Sequence, residues 1–191
     1  VLQKSVQLDP QDAEAHYNLG VLLEELGRLK EAEASYRQAI ILKPNYAEAH
    51  NNLGNTLKEL GRLKEAEVSY GQAITLKPDY VEAYNNLGVL LENLGRLKEA
   101  EISYKKAITL KVDFAEAHYN LGNTLKEQDR LKEAEASVRK AIALKPDFAE
   151  AHNNLGGLLI KFNRLEEAKT FFKKAVEFKP DYGEAKHLLA A

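Results

Sequence analysis

Residues 45–78 read NYAEAHNNLGNTLKELGRLKEAEVSYGQAITLKP, and the same 34-residue pattern recurs on both sides of them. The pair Leu53-Gly54 returns as Leu19-Gly20, Leu87-Gly88, Leu121-Gly122 and Leu155-Gly156. Alanine keeps the register at Ala32, Ala66, Ala100, Ala134 and Ala168, and again at Ala39, Ala73, Ala107, Ala141 and Ala175. Proline closes the units at Pro10, Pro44, Pro78, Pro146 and Pro180, with Val112 the one exception. The spacing is never interrupted. It divides a single array over 1–191 into full units at 11–44, 45–78, 79–112, 113–146 and 147–180. Partial units flank them, a second helix expected over 1–10 and a first helix over 181–191. A fixed period of this length is the mark of a tandem-repeat architecture.

Each unit reads as two helices, from about Ala47 to Leu60 and from about Leu63 to Leu76 in the unit quoted. Asp79 with Glu82, Asp113 with Glu116, Asp147 with Glu150 and Asp181 with Glu184 spell a capping box at the start of the first helix. Gly27, Gly61 and Gly95 end that helix, because glycine enters the left-handed region without a Cβ penalty. Asp129 and Asn163 stand in the glycine position of the fourth and fifth units, and Asp129 predicts a looser turn or a different cap. In the second helix Leu63, Ala66, Tyr70, Ala73 and Ile74 fall on one face. Alanine lets two backbones approach, and Tyr70, Tyr36, Tyr104 and Phe172 fill the space beside it. Val138 is smaller at the same place and predicts local underpacking in the fourth unit. Proline then stops the helix, because it lacks the N–H and disfavours helix in the residue before it.

The repeat length, the Leu-Gly pair, the two alanines, the aromatic and the closing proline together resemble the tetratricopeptide repeat family over essentially the whole chain. The resemblance implies an all-α fold of helix pairs stacked into a right-handed superhelix, with the first helices lining a concave groove. Physics gives the same motive, since one pair cannot bury its apolar faces alone.

Composition narrows the function. Lys plus Arg number 27 against 29 for Asp plus Glu, a net charge of -2, so the chain lacks the basic footprint that nucleic-acid binding needs. No apolar run approaches the ~20 residues of a membrane span and no signal peptide is present, which points to a cytoplasmic protein that binds no membrane. Cysteine is absent, which removes disulfides, thiolate metal sites and cysteine nucleophiles. Methionine is absent too, the chain opens on Val1 inside a helical pattern, and it stops at Ala191 partway through a unit. These features are expected of a piece of a longer protein.

At about 100° per residue, the first helix of the second unit gathers Glu48, Asn51, Asn52, Asn55, Lys58 and Glu59 on one arc. Ala49, Leu53, Leu57 and Leu60 lie opposite. The other arcs hold Tyr17, Asn85, Tyr119 and Asn153 where this one holds Asn51. One file repeats without change: Asn18, Asn52, Asn86, Asn120 and Asn154. Asparagine costs roughly 0.5 kcal/mol against alanine inside a helix, yet its amide offers the donor and acceptor that a peptide group requires. Helices packed about 8–10 Å apart and a strand rising ~3.3 Å per residue would bring one asparagine to roughly every third peptide unit. The file resembles the asparagine ladder of O-linked N-acetylglucosamine transferases, which implies an extended polypeptide held by its backbone. Leu188 breaks it in the last partial unit. Against that stand inheritance by duplication, a bond to a neighbouring helix, or plain solvation.

Other chemistry fits less well. The carboxylate clamp of chaperone-binding tetratricopeptide domains would need lysine where this chain has Glu48, Glu82 and Glu116. Val21 and Val89 alternate with Asn55 and Asn123, and Glu24 and Glu92 with Lys58 and Lys126. That is either a two-unit duplication or a groove suited to a mixed-charge peptide. His16, His50, His118 and His152, with Tyr84 in the third unit, recur too far apart to share a metal and read as packing residues. No phosphate loop, nucleophile elbow or metal-spaced cluster appears, so no catalysis and no cofactor is expected of this piece. The leading reading is a protein-binding module. A substrate-recognition region of a larger glycosyltransferase, methyltransferase or sulfotransferase is the second, and self-association through exposed repeat ends the third.

Overall fold

Glycine-ended first helices and proline-ended second helices produce a chain of short helical hairpins. The structure is a computed structural model and describes residues 9–181. Ten helices and no strands occur among them. They are α1 (Ala13–Glu25), α2 (Leu29–Leu42), α3 (Ala47–Glu59), α4 (Leu63–Leu76), α5 (Val81–Asn93), α6 (Leu97–Leu110), α7 (Ala115–Glu127), α8 (Leu131–Leu144), α9 (Ala149–Lys161) and α10 (Leu165–Phe178). The expected all-α architecture of tandem helix pairs is the one observed. The partial units expected at either end, Glu184 and Leu188 lie outside the described residues.

The chain resolves into two compact units, Val1–Leu90 and Leu91–Ala191, divided inside α5. In the first, α1 packs on α2, α2 on α3 and α3 on α4. In the second the same succession runs α6, α7, α8, α9 and α10.

The turn inside each hairpin is one shape made by different residues. Gly27, Gly61 and Gly95 have φ of 70°, 76° and 70°, and Asp129 and Asn163 take the same region at 60° and 59°. The amide after each returns to the carbonyl five residues back, as from Arg62 to Leu57 and from Arg130 to Leu125, both 2.9 Å. Asp129 therefore makes neither a looser turn nor a different cap; it accepts the glycine conformation at a cost in strain.

The capping boxes do not form as spelled. The cap positions of α3, α7 and α9 are Tyr46, Phe114 and Phe148, none with a side-chain cap bond. Asp113 and Asp147 sit one residue too early, outside the helix, and an aromatic takes the cap position; those at Tyr46 and Phe148 pack on Tyr17 and Tyr119 of the preceding hairpin. Helix α1, by contrast, is capped by its aspartate: Asp12 Oδ1 accepts the amides of Glu14 and Ala15.

The core is made of the repeated alanines and aromatics. Ala32, Ala39, Ala66, Ala73, Ala100, Ala107 and the rings of Tyr36, Tyr70 and Tyr104 are wholly buried. The glycine of the Leu-Gly pair seats the ring. A Cβ on Gly54 would lie 2.6 Å from Tyr70 Cε1. The fourth hairpin is not underpacked as its valine suggested. Val138 is fully buried, and a Cβ on Gly122 would meet Val138 Cγ2 at 2.5 Å and α8 backbone atoms at 3.3 and 3.4 Å. In the tyrosine hairpins the three nearest atoms are all ring atoms. The helices have closed on the smaller side chain.

Arginine fastens one hairpin to the next. At the start of α4, Arg62 grips Glu65 two-pronged and reaches back to Glu33 at 2.6 Å. Arg130 repeats this with Glu133 and Glu101, and Arg164 with Glu167 and Glu135.

Candidate polypeptide-binding face

The asparagine file begins in the open. Asn18, on α1, is exposed and has no partner among the described residues. Asn52, on α3, is half-buried; its Nδ2 donates to the Tyr17 hydroxyl at 3.1 Å and its Oδ1 accepts from Asn51 at 3.1 Å. Asn86, on α5, donates to Asn51 Oδ1, again at 3.1 Å. The first unit thus carries a relay of amides running Asn86 to Asn51 to Asn52 to Tyr17. Each bond to the preceding repeat spans 35 residues of sequence. Each amide in the relay keeps part of its hydrogen-bonding capacity uncommitted, because a carboxamide has two N–H donors and two acceptor positions.

In the second unit, Asn154 behaves differently. It is 7% exposed, donates to Asn123 Oδ1, and accepts from Lys126 Nζ at 3.0 Å. Its partner lies 31 residues back instead of 35. Lys58, the counterpart of Lys126, makes no such bond in the first unit. Asn120 and Asn85 are half-buried and Asn153 is buried, each with a partner.

Tyr17 and Tyr119, which occupy the place of Asn51 in their repeats, work as packing residues as well. Tyr17 lies 4.9 Å from the Tyr46 ring and 5.9 Å from the Tyr36 ring, centroid to centroid. Tyr119 lies 4.8 Å from the Phe148 ring. The contacts with Tyr46 and Phe148 join consecutive hairpins, and all three fall in the range of favourable aromatic pairs.

Sequence reasoning passed over the residues that explain the alternation. Tyr36 donates to Glu24 Oε2 at 2.8 Å, and Thr56, from the next repeat, donates to Glu24 Oε1 at 3.3 Å. Tyr104 and Thr124 repeat this on Glu92 at 2.9 and 3.4 Å. In the second repeat Tyr70 donates instead to Asn55 Oδ1 at 2.7 Å. Where the arc carries valine, the tyrosine finds glutamate; where it carries asparagine, the tyrosine takes the amide and the glutamate becomes lysine. Burial first, then the charge of Glu59, raises the Glu24 carboxyl above its ordinary value against the opposing Tyr36 bond. Burial and Glu127 do the same to Glu92. The signal was in the sequence of the first three repeats, as a tyrosine at 36, 70 and 104 facing a pair that changes together.

The histidines tie four of the five first helices to the loop before them. Nε2 of His16, His50, His118 and His152 lies 3.2, 3.3, 3.1 and 2.8 Å from the carbonyls of Pro10, Pro44, Val112 and Pro146. A carbonyl only accepts, so the proton is on Nε2. Replacing proline with Val112 keeps that carbonyl. Among the described residues no His, Asp and Glu groups gather as metal ligands, and no helix is long and apolar enough to cross a membrane.

A family model described as the cilia and flagella-associated protein 70 C-terminal domain, a tetratricopeptide family, matches residues 1–190. The chain belongs to this tetratricopeptide family. Among solved structures it is similar to YrrB, a tetratricopeptide protein with an unusual peptide-binding site, at 25% identity and a TM-score of 0.74. That match covers 100% of this chain and 98% of YrrB. A thermophilic tetratricopeptide protein of Thermus thermophilus is 27% identical with a TM-score of 0.73, over 94% of this chain and 97% of its own. PilF of Pseudomonas aeruginosa shares the fold at 22% identity and a TM-score of 0.85, covering 99% and 86%. A search of curated proteins returned no match. As a tetratricopeptide array, the chain is a protein-interaction scaffold with protein or peptide partners.

Proposed function

We propose that this tetratricopeptide array, taken as one domain over 1–191, holds an extended polypeptide by its backbone. The contact set is drawn from the file Asn18, Asn52, Asn86, Asn120 and Asn154, with Tyr17, Asn51, Asn55 and Lys58 beside it. The observation that carries the reading is the relay in the first unit. Asn52 is orientated by the buried Asn51 and by Tyr17 of the preceding repeat, yet its half-buried amide retains uncommitted donor and acceptor capacity. Preorganised amides lose little side-chain freedom when a peptide group arrives. The peptide-binding site of YrrB, on the same fold, supports a peptide as the class of ligand.

Asn18 provides the test, because it is exposed and unbonded within the described chain. Asn18→Ala should leave unfolding by urea unchanged while weakening capture of peptides on an array of overlapping 12-residue segments by roughly 5–10-fold, about 1–1.4 kcal/mol for a lost hydrogen bond. Unchanged array binding by both Asn18→Ala and Asn86→Ala would rule the backbone reading out.

A further inference from the structure

We infer that Val138 and Asn123 set the C-terminal limit of the polypeptide-reading file by withdrawing Asn154 from it. This rests on the backbone reading above and adds where the site ends.

In the first unit each asparagine of the file that is bonded to the preceding repeat sends its Nδ2 to the residue 35 positions earlier: Asn52 to Tyr17, Asn86 to Asn51. The same rule would send Asn154 to Tyr119. It goes instead to Asn123, one helical turn away from that place along α7. The reason lies on the facing helix. Asn55, the counterpart of Asn123 in the second repeat, has its Oδ1 taken by the Tyr70 hydroxyl at 2.7 Å. Tyr70 thus takes one of the two acceptor positions of that carbonyl, and Asn86 bonds to Asn51 instead. The first repeat has Val21 at this position and offers no acceptor at all. In the fourth repeat Val138 replaces the tyrosine and brings no hydroxyl, so Asn123 Oδ1 is left for Asn154.

Lys126 completes the capture. Its ammonium donates to Asn154 Oδ1 at 3.0 Å, a charge-assisted bond stronger than a neutral one. Asn52 also has its donor and acceptor engaged but is half-buried, whereas Asn154 is only 7% exposed, so little of its amide can be reached by a strand. A valine in the core of one repeat thus changes the bonding of an amide on the next. A peptide is read by asparagines on the N-terminal side of the fifth repeat and not by Asn154.

Blocked tri-alanine, Ac-Ala-Ala-Ala-NH2, presents backbone groups and almost nothing else, and is a suitable probe. Titrated into 15N-labelled protein, it should shift the side-chain amide signals of Asn52 and Asn86 and leave those of Asn154 in place. In Asn123→Ala, which removes the acceptor, and separately in Val138→Tyr, the Asn154 signals should join the response. Without any probe, exchange of the Asn154 side-chain amide should run slower than that of Asn86 and speed up roughly 5–10-fold in Asn123→Ala, the loss of about one hydrogen bond. An Asn154 response equal to that of Asn52 in the parent protein overturns the limit. So does unaltered Asn154 exchange in Asn123→Ala. Silence of Asn52 and Asn86 overturns the backbone reading instead, while the exchange measurement still decides the hold on Asn154.

Discussion

Tyr36 donates its hydroxyl to Glu24 across the α1–α2 hairpin, at 2.8 Å. The ring is wholly buried, so the phenol cannot turn to bulk water for a substitute acceptor. Tyr70 has the same need in the next hairpin and meets it with Asn55. Alternate repeats have thus solved one problem, a buried phenol that must donate, with different acceptors. The alternation of Val21 and Glu24 with Asn55 and Lys58 follows from that requirement without appeal to a ligand.

Swapping one solution for the other gives a clean prediction. Glu24→Lys removes the acceptor for Tyr36 and Thr56 and should cost about 2 kcal/mol, the penalty of an unsatisfied buried donor plus repulsion from Lys58. Adding Val21→Asn supplies the amide that Asn55 provides to Tyr70 and should recover at least half of the loss. Urea unfolding of the parent, the two single variants and the double variant measures the coupling. Additive effects of the two changes would show that the alternation has another cause.

The core was easy to read from the sequence. Periodicity at 34 residues placed Ala66, Tyr70 and Ala73 in the core, and glycine and proline marked the helix ends, because these effects act within one hairpin. What stayed hidden depends on contacts between hairpins. The aspartates before α7 and α9 spell a cap but yield it to Phe114 and Phe148, and the Phe148 ring packs on Tyr119 of the preceding repeat. Val138 leaves no gap, because the α8 backbone lies close against Gly122. Within the asparagine file, identical letters hide different states. Asn18 is open, Asn52 and Asn86 are in a relay, and Asn154 is held. A column of one residue type cannot report which neighbour each member has found.

The arginine fasteners predict a pH dependence. Burial alone would raise the Glu101 carboxyl, but bonds from Arg130 at 2.6 Å and Lys105 at 2.7 Å outweigh it and hold the group down at about 2. The folded carboxyl therefore binds its proton later than the unfolded one, which titrates near ~4.3. As pH falls, the unfolded chain is protonated first and gains relative stability. The contribution of Glu101 is complete above about pH 4.3 and is lost as pH drops through about 2. Glu24, raised by burial, works in the opposite sense and loses stability as pH rises through its folded value. Glu101→Gln should be less stable than the parent near neutrality, and the difference should shrink steadily below about pH 4.3. Urea midpoints at a series of acid pH values would show it; a constant difference would mean that the carboxylate is not held by its cations.

Asp129 is the place where this chain can be made more stable. Its φ of 60° lies where an L side chain is strained, and three of the equivalent residues are glycine at 70° to 76°. The amide of Arg130 still returns to Leu125 at 2.9 Å, so the turn is fully formed and the strain is sustained by it. The carboxylate also sits at the C-terminal end of α7, where the helix dipole disfavours negative charge. Arg130 does not offset this, since its guanidinium is committed to Glu133, Glu101 and Gln128. Glycine relieves both the strain and the charge but adds freedom to the unfolded chain, which offsets part of the gain. Asp129→Gly should therefore stabilise the protein by roughly 0.5–1 kcal/mol, Asp129→Asn by less, and Asp129→Ala should not stabilise it through the backbone at all. The reciprocal Gly95→Asp should cost a similar amount. Thermal unfolding of these four variants orders the contributions. If Asp129→Ala were as stable as Asp129→Gly, charge alone would be the cause and the left-handed backbone would carry no penalty here.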